Sequence, residues 1–188
     1  MTRKGQISRD RIVEAANRLV YTKGYNQTSF ADVSTEVGIT KGNLHYHFKS
    51  KDELLEAIIN YRLAIISDHL DHWNEKISEP KEKLKRFVKM LLNEERDIMR
   101  YGCPMGSLNV ELGKFQQPLQ ARAKEMFDLY QGWLEKIFKQ IDKKYSKSRS
   151  NHLLAMAQGA ALMSYVYSDK KILKDESNSI EEWIDSLN

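Results

Sequence analysis

Residues 28–54 read TSFADVSTEVGITKGNLHYHFKSKDEL, and this stretch decides the fold. Ser29 followed by Asp32 marks a helix start over about 30–37: a hydroxyl caps a free N–H, and an acid sits at the positive end of the helix dipole. Gly38 supplies the stop. Thr40 caps a second helix over about 41–47. Ser50 and Glu53 have capping-box spacing and open a third. Two short helices flanking a tight turn at Gly38-Ile39 form a helix-turn-helix pattern. In that pattern the first helix braces across the DNA backbone and the second enters the major groove.

The second short helix contains residues that a purely structural helix does not need. Gly42 costs roughly 1 kcal/mol relative to alanine, but its missing side chain lets backbone approach DNA closely. His45, Tyr46 and His47 can donate to phosphates, and their rings can lie against sugars and thymine methyls. Thr40 can offer its N–H and hydroxyl to a phosphate where the dipole favours negative charge. Lys41 and Lys51 add phosphate charge. Leu44 and Phe48 are assigned to the core of a small domain. Singly, a histidine or tyrosine on a helix is commonly a surface or packing residue; three in four positions, after a glycine, point to DNA. His45 and His47 do not form a metal pair, because residues two apart do not share a helix face. His69 and His72 at i, i+3, beside Asp68 and Asp71, have spacing that could hold a metal, but a solvated polar face of the fourth helix is the preferred reading. No metal and no cofactor is expected.

Helical spacing continues outward in both directions. A helix over about 8–23 carries Ile12, Ala15, Ala16 and Leu19 on one face and stops at Gly24. The helix after Ser50 reaches about residue 77, roughly 40 Å, long enough to join two domains. Further helices are expected over about 80–100, from Pro104 to about Leu112, and over 116–143, 151–168 and 179–187. KKYSKSRSN (143–151) and DKKILKDESNS (169–179) read as charged connectors. Pro80, Pro104 and Pro118 each lie where a helix can begin. No strand alternation is evident. The expected fold is all-α with about nine helices: a three-helix DNA-binding domain over 1–50, then a ligand-binding and dimerisation bundle over 51–188.

The chain has 188 residues, enough for a sizeable core. At 41% hydrophobic and 30% charged it has the balance of a soluble globular protein. No apolar run is long enough for a bilayer, the start MTRKGQISRD lacks the apolar core of a secretion signal, and one cysteine allows no disulfide within the chain. A cytoplasmic location is expected. Residues 1–51 carry nine Lys or Arg against four Asp or Glu, and residues 52–188 carry 21 against 22. The net positive charge therefore belongs to the first quarter of the chain, where it suits a polyanion. No nucleophile elbow, Gly-rich phosphate loop or zinc-binding Cys/His set supports an enzyme. A helical protein-binding adaptor would leave Gly42 and the charge bias unexplained.

From about residue 7 to 56 the order and spacing of the KGY turn, TSFADVSTEVGITKGNLHYHF and KSKDELL resemble the TetR-type transcriptional repressors. By position, the resemblance implies DNA contacts from Thr28, Thr40, Lys41, Gly42, Asn43, His45, Tyr46, His47 and Lys51. His45 departs from the family's usual tyrosine but keeps a ring and a donor. The resemblance also implies a homodimer on a palindromic operator. It further implies a small-molecule pocket whose occupation moves the fourth helix and releases DNA.

Three features of the larger domain bear on this. In AMAQGAALMSY (155–165), Ala157, Gly159, Ala160 and Ala161 allow close helix packing, against either a partner or this chain. Met90, Met99, Met105, Phe115, Met126, Tyr130, Trp133, Met163 and Tyr165 are candidate pocket residues, although such stripes are often plain core. In YGCPMGSLNVEL (101–112), Cys103 sits by a helix N-terminus, where the dipole favours negative charge. The GCPMGSL segment resembles the LmrA/YxaF-like branch. Cys103 is expected either at the effector pocket with Met105, Tyr130 and Trp133, as an electrophile or oxidant sensor, or as an inert packing residue.

Overall fold

The computed structural model describes residues 3–187, and the described residues form ten α-helices. In order they are α1 (Arg3–Lys23), α2 (Phe30–Val37), α3 (Lys41–His47), α4 (Lys51–Lys76), α5 (Pro80–Asn93), α6 (Glu95–Tyr101), α7 (Pro104–Phe115), α8 (Gln117–Ile141), α9 (Ser146–Tyr167) and α10 (Lys170–Ser186). A 3₁₀ turn over Lys143–Tyr145 precedes α9.

The local signals in the opening stretch operate as expected. Ser29 and Asp32 form a reciprocal capping box, and Gly38 ends α2 at φ +74°. Gly24 ends α1 at φ +90° with its N–H on the Val20 carbonyl. At α4 the box is shifted by one residue. Ser50 accepts from the Glu53 N–H at 3.0 Å, while the Glu53 carboxylate accepts from Lys49 N–H rather than from Ser50.

Four boundaries differ from expectation: α1 begins at Arg3 rather than about residue 8, and three others lie further along the chain. The 80–100 segment is two helices, broken at Glu94, where the backbone turns to φ −101°, ψ 10°. No glycine or proline announces the break; Glu95 and Asp97 supply the acidic first turn of α6, and the fully buried Ile98 anchors it. The segment 169–179 is not a connector: Asp169 caps α10 by accepting from the Lys171 N–H. Leu173, Ser177, Ile180 and Ile184 then share its buried face. The segment 143–151 is mostly the start of α9, where Ser146 and Ser150 are buried with hydroxyls donating to Lys143 and Lys147 carbonyls. A serine that satisfies its hydroxyl on its own helix can occupy a core position at little cost. It also erases the apolar period from which the helix would be read.

The chain folds into two compact units that do not follow chain order. One comprises residues up to Ala64 together with Ser107–Glu125; the other comprises Ile65–Gly106 with the residues from Met126 onward. The first unit buries Ile12, Ala16, Val33, Leu44, Phe48, Leu55, Ile58 and Ile59. Each large aliphatic side chain removed from water contributes about 1.5–3 kcal/mol. The second unit is centred on α10, which packs against α9 and α5, with α6 against α9. Its core includes Leu84, Phe87, Ile98, Phe138, Leu153, Leu173 and Ile184.

Candidate nucleic-acid interface

The turn between α2 and α3 is built from backbone bonds. Gly38 N–H meets the Ser34 and Thr35 carbonyls at 3.0 and 3.3 Å, and Ile39 N–H returns to Ser34 at 3.0 Å. An added Cβ at Gly38 would meet no atom within 4 Å, so the positive φ, not space, requires glycine there. Thr40 then caps α3 by accepting from the Asn43 N–H at 3.2 Å. Leu44 and Phe48 are fully buried, with the Arg9 guanidinium 4.6 Å over the Phe48 ring. These two anchors fix which face of α3 points outward.

That outward face carries Thr40, Lys41, Gly42, Asn43, His45 and Tyr46, all exposed. Tyr46 is 72% exposed and meets His47 edge-on at 5.2 Å. His47 is half-buried, and its Nδ1 is buried without a hydrogen-bond partner. His45 rests on Phe30 of α2 at 4.9 Å between ring centroids. Gly42 meets nothing closer than the Thr40 hydroxyl at 3.9 Å from an added Cβ, and its φ is not in the left-handed region. Among the described residues nothing requires glycine at this position.

Two of the nine residues stand differently. Thr28 is only 4% exposed, and its hydroxyl donates to the Gly24 carbonyl at 2.7 Å, closing the turn before α2. Lys51 is half-buried: its ammonium donates to the Asn26 carbonyl at 3.2 Å and lies 4.3 Å over the Tyr25 ring. Burial pulls the Lys51 pKa down, against the opposing pull of the Glu111, Asp52 and Asp32 carboxylates. Tyr25 is pushed well above the ordinary phenol range by burial and by its bond to Asp52. Asp32 is held at about 2 by the Ser29 hydroxyl, the Ser29 N–H and Lys23.

Lys49 was not anticipated. Its ammonium donates to the His45 and Tyr46 carbonyls at 2.9 and 3.4 Å and lies 6.0 Å from the Tyr46 ring. The available signal was a cation just beyond the last turn of a helix, where free carbonyls collect.

In the second unit, Met105, Tyr130 and Trp133 are buried and Cys103 is half-buried. The Tyr130 hydroxyl lies 3.2 Å from Met90 sulfur, and Trp133 donates its indole N–H to Asn74 at 3.0 Å. Burial raises the Tyr130 pKa; Glu94 and Cys103 add to the rise and Arg86 opposes it, so these groups share one neighbourhood. Cys103 sulfur accepts from the Gly106 N–H at 3.4 Å. Met126 is fully buried, Met90 and Met99 are half-buried, and Met163 and Tyr165 are exposed. The Phe115 side chain lies outside the described residues. In α9, Ala157, Ala160 and Ala161 are buried within this chain, leaving only Gly159 of that cluster exposed. The outer face instead carries Leu162, Met163, Tyr165, Val166 and Tyr167, each between 44% and 64% exposed.

Residues 12–58 match the family model for bacterial regulatory proteins of the tetR family. Residues 80–179 match the C-terminal domain of LmrA/YxaF-like transcriptional regulators. The chain is 28% identical over 181 residues to an HTH-type transcriptional regulator in the lacX 3' region of Lactococcus lactis, covering 91% of this chain and 89% of that one. It is 28% identical to the HTH-type transcriptional regulator LmrA of Bacillus subtilis, covering 93% and 95%. The crystal structure of a TetR transcriptional regulator from Legionella pneumophila superposes with a TM-score of 0.83 at 26% identity, covering 100% of this chain and 98% of that one. The outward face of α3, the caps that hold it and the full-length likenesses converge: the chain belongs to the TetR family of transcriptional regulators, with an LmrA/YxaF-like C-terminal domain, and is not an enzyme.

Proposed function

We propose that the chain is a ligand-responsive repressor that binds a palindromic operator as a homodimer and is released by a small-molecule effector. The observation that carries the DNA contact is Gly42: an exposed helical glycine that no neighbour among the described residues explains. A glycine held at that position allows the first turn of α3 to approach a phosphate or base edge. Thr40, Lys41, Asn43, His45, Tyr46 and His47 surround it as donors. Lys51 and Thr28 act from beneath, by holding the turn that leads into α2. Residues 1–50 are assigned to DNA binding and 51–188 to effector binding and dimerisation.

The dimer reading rests on the exposed apolar side chains near the end of α9. A cluster this size is uncommon on a solvated face. Pairing it with its own copy presents two α3 helices, which read half-sites about one DNA turn apart. For the effector, Met105 and Tyr130 supply buried surface near Cys103, and buried Trp133 follows Tyr130 by about one turn of α8. The protein works where its DNA is, in the cytoplasm; among the described residues no helix is long and apolar enough to cross a membrane.

A salt titration tests the central claim. Affinity for DNA from its own promoter region should fall steeply with salt, because Lys and other donors displace condensed counterions. Equal affinity for promoter and random duplexes at physiological salt refutes specific repression. A ligand screen by thermal shift then seeks the effector. The sulfur contact to Gly106 N–H supports a second reading, a thiol-based sensor of electrophiles or oxidants. In that case a quinone should release operator DNA from the wild-type protein and not from Cys103→Ser.

A further inference from the structure

The turn joining α1 to α2 is gripped by a residue from far along the chain. The Glu111 carboxylate of α7 accepts from the Tyr25 N–H at 2.9 Å and from the Asn26 N–H at 2.7 Å. It sits just past the C-terminus of α1, the end where a helix dipole disfavours an anion. The site is made acceptable by Gly24, whose left-handed backbone turns the next two amides toward one acceptor. A Cβ at Gly24 would come 3.2 Å from one Glu111 oxygen, so the missing side chain also makes room for the carboxylate.

The same turn is held from α4. Lys51 donates to the Asn26 carbonyl, and the Tyr25 hydroxyl donates to Asp52 at 2.5 Å. Thr28 and Ser29 follow directly, closing the turn and capping α2. The position of α2, and through Gly38 that of α3, therefore depends on where this turn is pinned. A second clasp lies nearby: Arg122 of α8 donates to Glu56 at 3.0 Å and to Asn60 at 2.9 Å, both on α4.

We infer that Glu111 is a positioning residue for operator recognition: it pins the α1–α2 turn to α7 and so sets the pose of the recognition helix without touching DNA. This rests on the DNA-binding reading above and adds the element that controls it. Helix α7 begins beside Cys103, and Glu111 follows Pro104 by seven residues, about 10 Å along the helix. Displacement of α7 is thereby a way to unpin the turn.

The test uses the full-length protein and the variants Glu111→Ala and Glu111→Gln. Amide hydrogen exchange, measured without DNA, should accelerate at Tyr25 and Asn26 by tenfold or more in Glu111→Ala. A duplex selected from a random pool by the wild-type protein and a shuffled duplex are then compared over a series of salt concentrations. The ratio of specific to non-specific affinity should fall at least fivefold. The non-specific affinity and its slope against salt should stay unchanged, because no phosphate contact is removed. Glu111→Gln keeps the volume and one acceptor oxygen, so it should give intermediate values; it carries both readouts if Glu111→Ala does not fold. Faster exchange with an unchanged specificity ratio makes Glu111 a mere brace and overturns the proposal. Unchanged exchange overturns the clasp itself. A wild-type protein that enriches no duplex sinks the DNA-binding reading and the positioning role together, while exchange still judges the clasp.

Discussion

Helix α3 and the end of α9 both hold large rings in solvent, yet they are built in opposite ways. On α3 the exposed rings carry donors, stand among Lys41, Asn43 and Lys49, and are backed by two fully buried anchors, Leu44 and Phe48. On α9 the exposed residues from Leu162 to Tyr167 are mostly apolar, and the opposite face is lined with the small buried residues Ala157, Ala160, Ala161 and Ser164. The first arrangement suits a hydrated, charged partner. The second suits a dry one of matching shape. Exposure alone would treat them alike; the atoms beside each exposed ring separate them.

Charges placed on the α9 face give the largest expected effect. Leu162→Glu with Val166→Glu should convert a dimer to monomer in analytical ultracentrifugation. Operator affinity should then drop on the order of a hundredfold, because only one half-site remains engaged. A monomeric wild-type protein would remove the contrast altogether. Next comes Tyr46→Ala, which should weaken operator binding about tenfold, or about 1.4 kcal/mol. The melting temperature should stay unchanged, since a side chain 72% exposed contributes little to folding.

Gly42→Ala sharpens the contrast further by moving two quantities in opposite directions. Added to an open site on a helix, the methyl should leave stability unchanged or raise it by up to about 1 kcal/mol. Operator affinity should fall nonetheless, and equal affinity by fluorescence anisotropy would remove the case for clearance. Thr40→Ala should cost about 1 kcal/mol of stability through the lost cap on Asn43 N–H, read by urea denaturation.

The smallest effect concerns acid. Asp32 titrates at about 2 in the folded chain against an ordinary value of 3.8. A lowered folded pKa means that its contribution is full above about pH 4 and is lost as the pH falls toward 2. Asp32→Asn should flatten the melting temperature over that window and lower it above about pH 4, where the carboxylate contributes fully.

The helix-turn-helix was legible because each of its boundaries is set locally: Ser29, Gly38, Thr40 and Ser50 act on amides within four residues of themselves. Boundaries set by distant packing were not. The break at Glu94 has no breaker residue, and α10 hides behind Ser177 in its buried row. On α9 the small-residue cluster left two readings open, packing against a partner or within this chain. The alanines pack inward, and only the structure distinguishes a small residue that admits a partner from one that admits its own chain. Among the candidate contacts, the exposed face of α3 follows from helix period plus two buried anchors. The engagement of Thr28 and Lys51 in the turn before α2 depends on partners up to 25 residues away, which spacing does not reveal.

Lys49 changes the field at the end of α3. A helix ordinarily ends in a partial negative charge, which would repel the phosphates beside a groove. Here an ammonium bonds the carbonyls of His45 and Tyr46, so the negative end of α3 is covered by a cation, while Lys41 stands at the positive end. A polyanion then meets attraction along the whole seven-residue helix, whichever end it approaches first. The consequence is kinetic: arrival is hastened before any base is read. In stopped-flow mixing at low salt, Lys49→Met should slow association more than it speeds dissociation, and the difference should fade as salt is raised.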